Sequence, residues 1–89
     1  MVEVVLKVRD LVDGKTATIL LRRRSPLYKD EEEVEVAMVI GSYDKPEDVE
    51  RAIDRDVDGT KTLGWILMPL SDARKLCGAL YEVVRREGG

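Results

Sequence analysis

Residues 2–24 read VEVVLKVRDLVDGKTATILLRRR, and the fold turns on how the two halves of this stretch pair. In the first half Val2, Val4, Leu6 and Val8 alternate with Glu3, Lys7 and Arg9, the period-two pattern of a half-buried strand over residues 2–12. Asp13-Gly14 follows, a pair suited to a two-residue type I′ turn because both of its positions need positive φ. The second half, Thr16 to Arg24, is rich in β-branched and long aliphatic residues and reads as the return strand. A two-residue turn sets Val8 opposite Ile19 and Leu6 opposite Leu21.

Working outward, Ser25-Pro26 breaks the second strand and a loop runs through Tyr28 and Lys29. A third strand covers Glu33 to Ile40, with Val34, Val36, Met38 and Ile40 on one side. A strand's side chains alternate between faces, so only pairings of one parity place all three apolar sides together. The pairing that sets Met38 opposite Ile19 and Val36 opposite Leu21 satisfies this. One face then holds Val4, Leu6, Val8, Ala17, Ile19, Leu21, Val34, Val36, Met38 and Ile40, the predicted core. The other carries Val5, Lys7, Arg9, Thr18, Leu20, Arg22, Arg24, Glu33, Glu35, Ala37 and Val39, the predicted outer face.

Asp44, Pro46 and Glu47 have the spacing of a helix start, which predicts a short helix over 45–55 burying Val49, Ala52 and Ile53. Asp58-Gly59 leads into a fourth strand, Thr62 to Met68, apolar on both faces and therefore predicted to be buried. Ser71 is the predicted cap of a last helix whose Ala73, Leu76, Cys77, Leu80 and Val84 recur at i, i+3, i+4 spacing, and Gly88-Gly89 ends it. The predicted class is α+β: a small, mostly antiparallel sheet, element order βββαβα, with the C-terminal helix packed on one sheet face. Eighty-nine residues predict a single domain over 1–89.

Composition narrows the function. The chain has no His, Asn, Gln or Phe, and 37% of it is charged. Missing amides and abundant Lys, Arg and Glu fit a thermophile, and an archaeal source is expected. The absence of His removes Ser/His and Cys/His catalysis, and no two carboxylates stand out as converging, so no enzyme and no cofactor are expected. The single Cys77 cannot form an internal disulfide, and no membrane span or signal peptide is evident, so the expectation is a cytoplasmic protein. A chain this short also gains stability readily by forming a homodimer or joining a larger partner.

Two clusters remain as candidate sites. The run Arg22-Arg23-Arg24 with Tyr28 and Lys29, flanked on the sheet by Lys7, Arg9 and Leu20, fits a mixed basic and apolar surface for single-stranded nucleic acid. Cations there would neutralise phosphates while apolar and aromatic side chains meet bases. Against this, Glu33 and Glu35 lie opposite Arg24 and Arg22, and the net charge is −3. Asp54, Asp56, Asp58 and Gly59 match the first half of a calcium loop, but Trp65 stands where the bidentate Glu belongs. They are weak metal candidates only. Trp65 itself reads as a core or dimer contact, and Cys77 as a small core residue.

The leading expectation is thus a non-catalytic module binding single-stranded nucleic acid (DNA or RNA) through Lys7, Arg9, Leu20, Arg22, Arg24, Tyr28 and Lys29. One alternative is a protein-interaction or assembly subunit using that same face, with Leu20, Ala37 and Val39 at the interface centre. A second is a weak calcium-responsive module.

Overall fold

The protein is described from a computed structural model over residues 2–27 and 30–86. Four strands, β1 (Glu3–Asp10), β2 (Lys15–Arg24), β3 (Glu33–Ile40) and β4 (Thr62–Pro69), form one antiparallel sheet in the order β1-β2-β3-β4. Helix α1 (Pro46–Asp54) connects β3 to β4, and α2 (Leu70–Arg85) follows β4 and packs on the sheet against β3 and β4. The class is α+β and the element order is βββαβα, as the sequence predicts.

The β1–β2 connection differs from the predicted turn. Asp10 pairs with Lys15, so the loop is Leu11 to Gly14 and not a two-residue turn. Gly14 alone takes a positive φ of 70°, whereas a type I′ turn would need it at Asp13 as well. The loop closes on itself: the Gly14 N–H donates to the Asp10 carbonyl at 2.7 Å, and the Asp10 carboxylate accepts the Val12 N–H at 3.0 Å. Val8 therefore stands opposite Ala17 and Leu6 opposite Ile19, two residues from the predicted register. A shift of two preserves parity, so every side chain keeps its predicted face. Between β2 and β3 the pairs Ile19–Met38 and Leu21–Val36 form as predicted.

The buried face is the reverse of the predicted one. Leu20, Ala37 and Val39 lie fully or almost fully buried beneath Val49 of α1, with Val5, Tyr43, Ala52 and Ile53 packed around them. The face predicted as core has no comparable cover. α2 does not lie along it: only Leu70 and Ala73 of that helix are half-buried, and the rest of the helix is exposed. The reason is the junction. Pro69 ends β4 and Leu70 begins α2, with no connecting residue in which the chain could reverse direction. Leu70 N–H donates to the Glu32 carbonyl at 2.8 Å, and the Ser71 hydroxyl donates to the Glu31 carboxylate at 3.2 Å, which fixes the exit. Ser71 thus serves this junction rather than the predicted helix cap.

α1 starts where Pro46 predicts, with its fixed φ suited to the first helical position. Asp44 is not its cap: Lys45 holds that position without a side-chain bond, and the Asp44 carboxylate accepts from Lys7 Nζ at 2.5 Å. β4 proves to be an edge strand and not a buried one, so Leu63, Trp65 and Ile66 are exposed. A bulge opposite Met38 and Val39 takes up one residue of β4.

Candidate functional site

The two faces of the sheet differ in chemistry, and the difference follows from strand parity. On the α1 side, the apolar centre of Leu20, Ala37 and Val39 is bordered by polar groups that satisfy one another. Thr18 donates its hydroxyl to the Gly41 carbonyl at 2.6 Å and accepts the Tyr43 N–H at 3.1 Å. Glu35, almost fully buried, accepts from Arg22 Nε at 2.9 Å and Nη2 at 2.7 Å, and from Trp65 Nε1 at 2.7 Å. Arg22 also meets Glu3 at 3.3 Å and pairs with Glu50 of α1, tying the helix to the sheet. Burial opposes ionisation at Glu35, but the bonds from Arg22 and Trp65 and the charges of Arg22 and Arg24 outweigh it and hold the carboxyl below its ordinary range. Burial opposes the charge on Arg22 too, and Glu35 and Glu50 overcome it, so the guanidinium is held more firmly protonated.

This network takes up most of the cations predicted to meet nucleic acid. Arg22 and Arg24 converge on Glu35, Lys7 is bound to Asp44, and Arg23 is held by Glu32 at 2.6 Å. Leu20 is wholly buried and cannot touch a ligand on the surface; the same burial removes Leu20, Ala37 and Val39 as an interface centre. Arg9 is exposed, and among the described residues no ion pair holds it. Tyr28 and Lys29 lie outside the described residues. The sheet therefore brings Lys7, Arg22 and Arg24 to one face but already engaged with carboxylates, with Leu20 beneath them.

The acidic loop is occupied by its own backbone. Asp56 accepts the N–H groups of Thr62 at 2.7 Å and Lys61 at 3.1 Å, and Asp58 accepts the Thr60 hydroxyl at 2.9 Å. Hydrogen bonding from Thr62, then from Lys61, holds the Asp56 carboxyl below the usual carboxylate range. Asp54 is exposed at the end of α1, and among the described residues no group of three potential ligands converges on a metal position.

The opposite, open face is apolar across all four strands. β1 contributes Val4, Leu6 and Val8; β2 contributes Ala17, Ile19 and Leu21; β3 contributes Val34, Val36, Met38 and Ile40; β4 contributes Ile66 and Met68. Charged side chains occur only at its ends, as Asp10, Lys15 and Arg23. Leu6 is 37% exposed and Ile66 54%, and along the central strands only the small Ala17 is buried. α2 carries a second open apolar stripe, with Leu80 61% and Val84 74% exposed. Every residue of the open face on β1, β2 and β3 is legible in the sequence, where alternation assigns it to the core. What alternation does not carry is whether this chain supplies the cover.

Compared with family models, curated proteins and solved structures, the chain matches none of them.

Proposed function

We propose that this chain is a non-catalytic protein-interaction module that docks another protein surface on the open face of its sheet. The observation that carries the reading is the apolar continuity of that face from β1 to β4, with α2 meeting the sheet only through its first turn. The largest apolar patch of a soluble monomer is typically about 300–600 Å² and is often functional. Four adjacent strands of eight or more residues form a surface roughly 26 Å long, with about 14 Å between the outer strand axes. Charges confined to its ends give the arrangement of a protein interface, an apolar centre within a charged border.

A phosphate ligand is less well supported. To reach one, Lys7, Arg22 and Arg24 would have to release Asp44, Glu3, Glu35 and Glu50, which already compensate them. The lone exposed Cys77 fits a reducing compartment, consistent with a cytoplasmic protein, and among the described residues no helix is long and apolar enough to cross a membrane.

The test is site-directed photo-crosslinking in cells that naturally express the chain. A photoreactive residue at Leu6 or Ile66 should give a protein adduct, and one at Asp48 on α1 should give none. Adducts to nucleic acid at Arg9 or Arg24, with none to protein at Leu6 and Ile66, would overturn the reading.

A further inference from the structure

Resting on the reading of the open face as an interface, we infer that its occupant is a second copy of this chain, each copy laying its α2 across the sheet of the other. The chain holds both halves of an unmade contact: a sheet face left largely open and an amphipathic helix that meets its own sheet only through its first turn, at Leu70 and Ala73. Their dimensions agree. A 16-residue helix is about 24 Å long and an eight-residue strand about 26 Å. The contact cannot close within one chain as long as α2 leaves β4 with no linking residue, its exit fixed by Glu31 and Glu32. Exchange of identical helices about a two-fold axis closes it in both copies at once, leaving neither stripe over.

The size of the exposed surface points the same way. A folded monomer of 10.0 kDa exposes about 5,200 Å² by the scaling of surface with mass. This chain exposes 6740 Å², about 1,500 Å² more. A standard interface covers about 800 Å² on each partner, and obligate homodimers cover more, so the excess is that of a dimer subunit. The shape agrees: the radius of gyration is 14.3 Å, against about 12 Å for a compact chain of this length. The buried apolar cluster, Leu20, Ala37, Val39 and Val49, is also a small core for an isolated domain.

Cys77, exposed on the stripe of α2, provides a native probe. Val36→Cys places a second thiol at the centre of the open face, between Leu21 and Ile66. Mild oxidation of this variant should give a covalent dimer whose peptide map contains an interchain 36–77 disulfide. An intrachain 36–77 disulfide would overturn the inference by showing that α2 folds back on its own sheet. A map with only 36–36 or 77–77 links would overturn the helix exchange. Sedimentation equilibrium of the unmodified chain gives an independent reading, with dimers expected at micromolar concentration. Leu80→Lys, fully tolerable in a lone chain, should raise the dimer dissociation constant by about a hundredfold. A monomer at all concentrations overturns the inference. If that monomer still forms adducts with a different protein at Leu6, the broader interaction reading stands alone; if it forms none, both fall.

Discussion

Leu20 separates two accounts of the sheet, because alternation places it on the outer face while the structure places it, 0% exposed, under α1. Leu20→Ala removes three buried carbons, a transfer loss of about 2.4 kcal/mol. The neighbours Ala37 and Val39 are anchored in a central strand and cannot close the gap fully, so a cavity cost adds to this. α1 has only nine residues and forms a single covering layer, so it can settle part of the way into the space. The expected total is about 3 kcal/mol, towards the lower part of the usual Leu→Ala range. An 89-residue domain has roughly 4–13 kcal/mol of stability in all, so this is a large fraction of it. In a thermal melt followed by far-UV circular dichroism, the midpoint should fall by roughly 12–24 °C. The loss should be similar at low and high protein concentration, because Leu20 packs within one chain. A loss below about 1 kcal/mol would mean that Leu20 is solvated and that α1 does not cover this face.

Other substitutions test the polar border and the turn behind it. Glu35→Gln should cost about 2 kcal/mol in urea unfolding, since it leaves the half-buried Arg22 with only Glu3 and Glu50; a neutral result would mean the Glu35 contacts contribute nothing. The depressed folded-state value of Glu35 makes its contribution complete above the unfolded value of about 4.3 and lost as pH falls through the folded value. Acid unfolding should therefore be steeper below about pH 4.3 in the natural chain than in Glu35→Gln, and parallel curves would contradict this. Gly41→Ala should destabilise by about 1–3 kcal/mol in the same assay, because φ is 125° there and an added Cβ would meet Tyr43 Cε2 at 2.7 Å; an unchanged midpoint would refute this.

Local rules carried the fold a long way. The alternation of Val4, Leu6 and Val8 against Glu3, Lys7 and Arg9 locates β1, and Pro46 locates the start of α1. Parity needs only an even error to survive, which is why the two-residue slip at Asp13-Gly14 moved no side chain to the wrong face. The face that α1 would cover was not legible, because two alternating faces with apolar centres look alike until their polar residues find partners. Thr18, Arg22, Glu33 and Glu35 read as a solvated surface in the sequence. In the fold they border a core, with Arg22 and Glu35 joined across adjacent strands and Trp65 reaching Glu35 from β4. Likewise, the i, i+3, i+4 stripe of α2 shows that the helix has something to bury, but not whose surface it buries. That depends on the absent linker between Pro69 and Leu70, a feature visible only once the strand and helix ends are fixed.

The claim that a second copy of this chain covers the open face is tested most directly by the molar mass of the chain in solution, measured by light scattering. The account predicts twice 10.0 kDa at about 10 µM for the natural chain. It predicts a single 10.0 kDa chain with an unchanged circular dichroism spectrum for the Leu6→Lys/Ile66→Lys variant, whose two sites are solvent-exposed when the chain is alone. A natural chain of 10.0 kDa at that concentration, indistinguishable in mass from the variant, would contradict it.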